Sequence, residues 1–349
     1  MVVDSTLKDW QAQIETALAA GTSLCIRGAG SKDFLGESVT CDQQLNTQGY
    51  EGVIDYAPTE LVMTVRAGTQ LASVNAALAE QRQYWPCDPP SYGGNATIGG
   101  AVAAGLSGPG RVAYGAVRDL VLGVGMINSA GKALNFGGRV MKNVAGYDVS
   151  RLMAGSLGTL GLITDVSIKV LPLPEAEVTL ARVETVEMAH ARFLQLARTA
   201  LPCSASAWLA GVSYLRFSGS QAGVEAAQQK MGGDVTSSNI WAQIRDHRID
   251  EFEQAGNIWR ISVEPGSPTL LQQSSLLEWY GGQRWLLDPD FDPRLHLDAG
   301  HATLFRAPPG TSIPRFQPLT AVVEGIHRRL KQQFDPQGIF NPGRLYRDI

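Results

Sequence analysis

The sequence predicts an α+β fold divided into two domains, and three observations lead to this prediction. In the first half of the chain, short apolar segments typical of strands alternate with glycine turns. Near the middle, Pro172 and Pro174 interrupt strand pairing and mark a domain boundary. Beyond them the pattern is strand, helix, strand, strand, helix, the order of a split β-α-β sandwich. A chain of 349 residues, 44% of them hydrophobic, is long enough for two cores.

The first predicted domain, residues 1–174, begins with an amphipathic helix. This helix has caps among residues 4–6, ends at Gly21 and places four apolar side chains on one face: Leu7, Trp10, Ile14 and Leu18. Strands are predicted in LCIRG, GVIDY and ELVMTVRAG. Thr69 is the expected cap of a second helix, whose apolar stripe is Leu71, Val74 and Leu78. A hairpin with its turn near 129–132, a short helix and a long strand complete the domain.

The second predicted domain covers residues 175–310. Its strands lie in EVTLARV, SASAWLA and SYLRFSG, and its helices in EMAHARFLQLART and QAGVEAAQQKM. Three further strands, IWRISVE, QRWLLD and HATLFRA, complete its sheet in an order that the sequence does not fix. Residues 311–349 hold a helix, with Val322, Ile326, Leu330 and Phe334 in register, and a turn-rich tail; we expect both to return to the first domain.

Charge and hydropathy exclude several classes of function. The formal net charge is -4, and the lysines and arginines are scattered along the sequence. The sequence therefore has no basic cluster of the kind that binds nucleic acid or a membrane surface. It also has no leader-like segment and no apolar run of membrane-spanning length, which predicts no membrane insertion and a cytoplasmic location.

The cysteines predict neither a metal site nor an iron–sulfur cluster. Cys25, Cys41, Cys87 and Cys203 are well separated, and no C-x-x-C pair occurs. We interpret all four as small buried thiols.

A glycine-rich turn follows the first strand, in the segment RGAGSK. Successive backbone amides from Gly28 to Ser31 can form a concave anion site, and the Ser31 hydroxyl and Arg27 add donors for a pyrophosphate. A plain tight turn is the alternative. The segment is not the G-x-G-x-x-G dinucleotide fingerprint, because Asp33 stands where the third glycine belongs and no helix follows.

Two further segments expose backbone in the same way. GGNATIGGAVAAG has the spacing to wrap around a phosphate and start a helix near Thr97, whose first-turn amides favour an anion. GSLGTLGLIT runs from a glycine turn into a strand, so that Gly158 and Ile163 can contact a flat ring through their backbone. A buried helix start and a tight turn before a core strand are the alternatives. Three such loops in one domain together predict a large bound nucleotide.

These segments resemble the FAD-linked oxidases of the vanillyl-alcohol oxidase, or PCMH-type, flavoprotein family. The resemblance extends over IRGAGSKDFLG, PTELVMTVRAGTQLASVNAALAEQ, ATIGGAVAAG, YGAVRDLVLGV, MKNVAGYDVSRLMAGSLGTLGLIT and DPQGIFNPGRLY, nearly the whole first domain and the tail. It implies a PCMH-type FAD-binding domain of two α+β subdomains, with a ferredoxin-like cap domain made by the middle segment. It implies FAD as the cofactor, and the absence of histidine from the first loop implies that attachment is non-covalent.

By similarity to the family, three loops and the segment before the second loop hold the cofactor. The pyrophosphate would lie on Arg27, Gly28, Ala29, Gly30, Ser31, Lys32, Asn95, Ala96, Thr97, Gly99 and Gly100. The ribose and adenine or flavin side would lie on Gly155, Ser156, Gly158, Thr159, Gly161 and Ile163, and the edge of the ring system on Pro89, Gly93 and Gly94.

The chain departs from the catalytic members of the family at two places. Those that oxidise 2-hydroxy acids carry an H-x-G-D-G-N-x-H-like motif, whereas this chain has HLDAGHATLFR, and we interpret His296 and His301 as ordinary residues on or beside a strand. Leu157 stands where glutamate is usual.

Independent substrate turnover is therefore in question, and no catalytic residue is assigned. Lys142 is the candidate for a positive charge beside the flavin, with a solvated loop lysine as the alternative; Arg111 and Arg118 are weaker candidates. Tyr147 and Asp148 are expected to fix the adjoining helix rather than to carry acid–base chemistry.

Within the family, the wording of the motifs is most similar to a flavoprotein subunit of glycolate oxidase. The resemblance implies a part in the oxidation of a small 2-hydroxy acid, glycolate, to glyoxylate. Because no cysteine cluster is present, electrons would pass to a partner iron–sulfur subunit beside a larger flavoprotein subunit, which would bring the chain near the inner membrane. The alternatives are a self-sufficient FAD-dependent 2-hydroxy acid or alcohol dehydrogenase, and a non-catalytic assembly subunit that retains the fold.

Overall fold

The computed structural model describes residues 5–138 and 148–349. Its helices, α1 to α11 in chain order, are Ser5–Ala20, Leu71–Glu80, Ile98–Ala104, Arg111–Tyr114, Val117–Leu120, Val149–Met153, Val186–Leu196, Gln221–Met231, Asn239–Arg245, Asp250–Gln254 and Ala321–Phe334. Its strands, β1 to β17, are Leu24–Arg27, Gln43–Asn46, Val53–Ala57, Val62–Arg66, Gln83–Tyr84, Val121–Ile127, Ala133–Gly137, Leu162–Lys169, Leu171–Pro172, Ala176–Val183, Cys203–Leu209, Val212–Gly219, Asp234–Val235, Ile258–Ser262, Leu276–Glu278, Gln283–Leu287 and His301–Arg306.

An antiparallel sheet in the order β3-β4-β8-β6-β7 organises the first half of the chain. At its centre Val166 of β8 is opposite Val65 of β4 on one side and Val124 of β6 on the other, and all three side chains are buried. The predicted stripe of Leu71, Val74 and Leu78 on α2 packs into the same core. The predicted hairpin joins β6 and β7, since the Asn128 side chain accepts hydrogen bonds from the amides of Ala130 and Lys132 in the turn.

A smaller layer lies beside this sheet and carries the glycine turn that follows β1. Strands β1 and β2 pair in parallel, and Trp10 and Ile14 of α1 pack into a core with Leu24 and Leu45 of the two strands. The tail of the chain joins this layer, because the Leu24 amide donates to the Ile339 carbonyl at 2.7 Å.

The second large sheet has the strand order β13-β10-β12-β11-β15-β16-β14-β17. Its first four strands are joined as β10-α7-β11-β12-α8-β13 and pair antiparallel, which is the ferredoxin-like arrangement. Helices α7 and α8 cover them through a core that includes Phe193, Phe217 and Ala227. The predicted α+β fold with a ferredoxin-like unit is confirmed. The sequence pattern did not predict β13, which completes that unit, or β15, and the later strands extend the sheet.

Three predictions about single elements were wrong. The cap of α2 is Gln70, which makes no side-chain bond; Thr69 instead bonds the Gly52 amide and the Arg66 carbonyl, because it closes the turn after β4. Pro172 does not lie outside strand pairing, since it forms the two-residue strand β9 opposite Gln83. The expected inward stripe of α11 is only partly inward, because Val322 and Ile326 are exposed while Lys331 and Phe334 face the body of the protein.

The interpretation of all four cysteines as buried thiols was also wrong. Cys25 and Cys41 form a disulfide, with their Cα atoms 5.5 Å apart. The pairing of β1 with β2 brings them together, because Cys25 lies in β1 and Cys41 comes just before β2. Cys87 is a buried free thiol and Cys203 a partly buried one.

Within residues 5–138 and 148–349, the helices are all too short or too polar to cross a bilayer.

Candidate functional site

Below, the part of the chain up to β9 is called the first unit, and β10 to β17 the second. A cavity of about 420 Å³ lies in the first unit, between the turn after β1, the segments around α3 and the start of β8, and the tail of the chain. It brings together twelve of the predicted site residues: Arg27, Gly28, Ala29, Gly30, Ser31, Lys32, Thr97, Gly99, Gly100, Gly158, Gly161 and Ile163. These come from all three of the loops singled out in the sequence, which are separated by up to 136 positions along the chain but share one wall in space.

The other predicted residues lie away from this cavity. Gly93, Gly94 and Asn95 are exposed, whereas Pro89, Ala96, Ser156 and Thr159 are buried in the protein around it. Gly155 lies on a second cavity described below. Lys142 and Tyr147 are outside the described residues. Asp148 caps α6 by accepting from the Arg151 amide, as expected of a residue that fixes the helix.

The turn after β1 supplies free backbone donors. The amides of Ala29, Gly30 and Ser31 line the cavity, and no described residue accepts a hydrogen bond from them. Gly30 has φ +76°, which the turn requires, and the Gly30 carbonyl closes it by accepting from the Asp33 amide at 3.1 Å. Adjacent amides left free on a concave surface are the arrangement that binds phosphate oxygens.

The start of α3 does not act as the sequence predicted. Thr97 caps the helix, but its hydroxyl accepts from the Gly100 amide, while the Ile98 and Gly99 amides donate to the carbonyls of Thr69 and Ala67. The first-turn amides are therefore already paired and are not available to an anion. The predicted buried helix start with close packing is the better description, because a Cβ on Gly99 would lie 2.7 Å from the Ala67 Cβ.

Lys32 lines the cavity and, like Arg344, forms no ion pair with a carboxylate among the described residues. Its burial lowers its pKa from 10.5 to about 8, although the charge of Asp246 opposes that shift. Arg27, in contrast, forms an ion pair with Asp33 at 2.6 Å on the exposed rim. Lys32 therefore gains most from an anion in the cavity, since both groups are then neutralised away from water.

The tail contributes two cavity residues that the sequence reasoning did not assign. The Asn341 side chain accepts from the Ile26 amide at 2.8 Å and donates to the Leu157 carbonyl at 2.7 Å. Arg344 donates to the carbonyls of Asp33 and Glu37. Both lie in NPGRLY, one of the segments that carry the family resemblance. The sequence therefore contained a signal for them, but it predicted only a turn-rich tail there.

A buried ion pair fixes the tail in turn. Lys331 donates to Asp335 and to the carbonyls of Thr159 and Phe340, and Asp335 is fully buried and also accepts from the amides of Ile339 and Phe340. Because every polar group in this set is bonded, the network holds the third loop and the tail in one arrangement.

The cavity fits a flavin dinucleotide on its own residues. It offers free amides and a lysine for a diphosphate, and glycines that let backbone approach closely; a Cβ on Gly28, for example, would lie 2.7 Å from the Thr97 hydroxyl. The chemistry of the donor set therefore matches FAD.

The two histidines of HLDAGHATLFR are separated by the fold. His296 lies in a 3-10 turn against Phe291, whereas His301 begins β17 and lines the second cavity with Arg260. His301 thus lies on a strand and His296 beside one, as the sequence predicted. Within the part of the chain that the structure describes, no cluster of His, Cys, Asp and Glu could hold a metal ion.

Comparisons with known proteins agree with this geometry. Residues 2–137 match the model of an FAD binding domain family. The chain is 43% identical to glycolate oxidase subunit GlcE of Escherichia coli (strain K12) over 342 residues, which is 97% of this chain and 96% of that protein. It is 32% identical to glycolate oxidase subunit GlcD of Bacillus subtilis (strain 168) over 161 residues, 46% of this chain and 32% of that protein. A solved structure of alkyldihydroxyacetonephosphate synthase shares the fold, with a TM-score of 0.68 at 14% identity over 96% of this chain and 75% of that one.

Proposed function

Because the chain belongs to the GlcE-like family of FAD-linked oxidase subunits, we propose that it is the FAD-binding subunit of a glycolate oxidase. In this proposal it takes part in the oxidation of glycolate, a 2-hydroxy acid, to glyoxylate. FAD, when bound, accepts the hydride that leaves the carbon bearing the hydroxyl group.

The observation that carries the proposal is the convergence of three loops and the tail on one cavity. The free amides of 29–31 and the ammonium group of Lys32 would bind the diphosphate, and Gly158, Gly161 and Ile163 would contact a ring through backbone. Asn341 holds the first and third loops at a fixed separation, so the site is preorganised rather than assembled by the cofactor. Ser31 stands where a tethering histidine would be needed, which supports non-covalent binding.

The test is an absorption spectrum of the purified chain, before and after denaturation, with a matched pair of variants. Ala29→Glu places a carboxylate against the diphosphate and is expected to abolish FAD binding, whereas Ala29→Gln, of the same size but neutral, retains the yellow colour. A colourless wild-type protein that takes up no added FAD would contradict the proposal. Equal FAD binding by the two variants would contradict the placement of the diphosphate.

Reduction of the flavin distinguishes the full proposal from its alternatives. Glycolate is added anaerobically to the chain alone and to the chain with its partner subunits. Bleaching of the flavin in the isolated chain supports a self-sufficient dehydrogenase. Bleaching only in the complex supports the subunit proposal, and no reduction of this chain's flavin in either preparation supports an assembly subunit that keeps the fold.

We propose that electrons leave through a partner iron–sulfur subunit and that a larger flavoprotein subunit completes the complex. The names of the two relatives, both glycolate oxidase subunits, support an assembly of several chains. The exposed apolar side chains at the start of α11, Val322, Val323 and Ile326, are also suited to being covered by a partner. Co-purification tests this: Val322→Asp with Ile326→Asp should release the chain from the complex while FAD remains bound.

We also propose a cytoplasmic location, close to the inner membrane through the partner subunits. Cell fractionation with and without the partners tests it, since the chain should move to the soluble fraction when they are deleted.

A further inference from the structure

A second cavity, of about 210 Å³, lies between the first unit and the extended sheet of the second. The first unit contributes Gly105, Ser107, Arg111, Ala116, Arg118, Ala154 and Gly155 to its wall, and the second Arg260, Ser262, Trp279, Gln283 and His301. Three of these side chains are guanidinium groups, and no carboxylate side chain lines the cavity among the described residues. The cavity is therefore a concave cationic surface between two domains, a common setting for small-ligand sites.

Arg260 is the most unusual member of this wall. It projects from the middle of β14, and no described residue accepts a hydrogen bond from its guanidinium group; its ring contact is with Phe305 at 5.8 Å. The carboxylate of Glu278 acts on its charge but accepts hydrogen bonds from Gln283 and Trp285 instead. Arg260 is partly exposed to the cavity, so a carboxylate bound there would supply the hydrogen-bond acceptor that its guanidinium lacks.

Arg111 and Arg118 add charge from the opposite side. Arg111 is stacked on the Trp279 ring at 4.5 Å, and no described residue accepts a hydrogen bond from its guanidinium group. Trp279 holds this position at φ +55°, a strained conformation for a residue other than glycine, and such strain is frequent at ligand sites. Arg118 has a long contact of 3.8 Å with Asp119 and is otherwise open to solvent.

The second cavity is next to the first. The wall of the first contains Ala103, Ala104 and Leu157, and the wall of the second contains Gly105, Ala154 and Gly155, which continue the same two segments. These segments are bonded to each other, since the Leu157 amide donates to the Ala103 carbonyl at 2.9 Å. A Cβ on Gly155 would meet no atom within 4 Å, so the backbone at this boundary faces open space.

We propose that this cavity binds the carboxylate of a small organic acid, with Arg260 as the central donor and Arg111 and Arg118 at its sides. Guanidinium groups match the planar carboxylate through paired hydrogen bonds, and a cavity of about 210 Å³ admits acids of a few carbon atoms. The inference deepens the proposed function, on which the identity of the acid as a 2-hydroxy acid rests. In this proposal arginines bind the acid; among the described residues, no group of His, Cys, Asp and Glu side chains could hold a metal ion for that purpose.

Calorimetric titration tests the site without relying on turnover. Glycolate is titrated into the FAD-free chain and oxalate, which carries no hydrogen to transfer, into the FAD-loaded chain; glycolamide is the neutral control. We expect both acids to bind, the amide not to bind, and acid affinity to fall as NaCl is added. If neither acid binds to either form, or if glycolamide binds as well as glycolate, the proposal is wrong.

Matched arginine variants locate the site. Arg260→Gln should weaken acid binding by about tenfold or more, while Arg182→Gln, at an exposed side chain on β10 of the same sheet, should leave it unchanged. Arg118→Gln, at an exposed side chain, gives a milder loss and replaces Arg260→Gln as the test if that variant fails to fold. Wild-type affinity in a folded Arg260→Gln or Arg118→Gln protein would overturn the assignment.

FAD affinity is measured on the same preparations by fluorescence. The arginine variants should bind FAD like the wild type. A wild-type protein that binds the acid but not FAD would contradict the proposed function and not this site. A wild-type protein that binds FAD but not the acid would contradict this site alone.

Discussion

At the scale of single residues, Lys32 connects burial with ligand binding. Its side chain lines the first cavity beside the turn after β1, and its ammonium group is 5.8 Å from the centre of the Tyr92 ring. The negative charge of Asp246, at the end of α9, also acts on it. Burial lowers its pKa to about 8, so the free protein loses this positive charge in a pH range where most lysines keep it.

We therefore predict that FAD affinity falls as pH rises above about 8. A bound diphosphate stabilises the ammonium form and raises the Lys32 pKa, so binding takes up a proton above the free value; below that value Lys32 is already charged and affinity is level. The decline approaches about tenfold per pH unit at most. The pH dependence of FAD affinity is measured by quenching of FAD fluorescence between about pH 6.5 and about pH 9.5, a range that brackets the titration of Lys32.

Lys32→Arg is the control for that prediction, because an arginine at this position stays charged throughout the range. Its FAD affinity should be independent of pH, and Lys32→Met should bind weakly at every pH. The same slope in Lys32→Arg as in the wild type would assign the pH dependence to another group.

At the scale of elements, the disulfide fastens the glycine turn. Cys25 and Cys41 are 16 positions apart, and the free amides of 29–31 lie in the loop that they close. A cross-link across about 15 residues stabilises by about 3 kcal/mol, largely by restricting the unfolded chain.

We predict that Cys25→Ser with Cys41→Ser lowers the free energy of unfolding by about 3 kcal/mol and weakens FAD binding. Urea unfolding of the wild type and the double variant, with and without dithiothreitol, measures the change. The reductant should bring the wild type to the level of the variant and leave the variant unaffected. Cys203→Ser, which removes a free thiol, should respond to the reductant as the wild type does. Wild-type stability that is insensitive to reduction would contradict this role.

At the scale of the whole molecule, local patterns predicted most of what is local. The strand–helix order of the ferredoxin-like unit and the β6–β7 hairpin follow from periodicity and turn residues within short windows. The three glycine loops were found for the same reason, since each is contiguous in sequence.

The remaining features depend on contacts between distant parts of the chain. Asn341 bonds the Ile26 amide across 315 positions, and no local pattern encodes such a pair. The helix start at Thr97 was predicted to bind an anion, but the Ile98 and Gly99 amides donate to carbonyls in the turn after β4, about 30 positions earlier in the chain. The second cavity combines Arg111, a weaker candidate in the sequence, with Arg260, which no local pattern distinguished from a surface residue.

One buried carboxylate contributes polar contacts between the two units. Asp246 of the second unit pairs with Arg245 at 2.7 Å and accepts from the Ser91 amide of the first unit at 2.7 Å, while Arg245 also bonds Asp88 at 2.6 Å. Burial opposes ionisation of Asp246, but the Arg245 charge and the hydrogen bonds outweigh it, so the pKa lies below its usual value. The carboxylate thus stabilises the folded protein above about pH 4, and this contribution is lost as pH falls through the lowered pKa.

We predict that Asp246→Asn costs about 2 kcal/mol at neutral pH, because Arg245 keeps its ion pair with Asp88 but loses the one with the buried carboxylate, and that the difference from wild type shrinks as the solution is acidified below about pH 4. Hydrogen exchange separates this interface effect from general destabilisation: the Ser91 and Tyr92 amides should exchange faster in Asp246→Asn. Asp288→Asn is the control, because Asp288 bonds the Gly256 and Asn257 amides within the second unit. In this variant the Ser91 and Tyr92 amides should stay protected. Equal exchange at Ser91 and Tyr92 in both variants would contradict this role of Asp246.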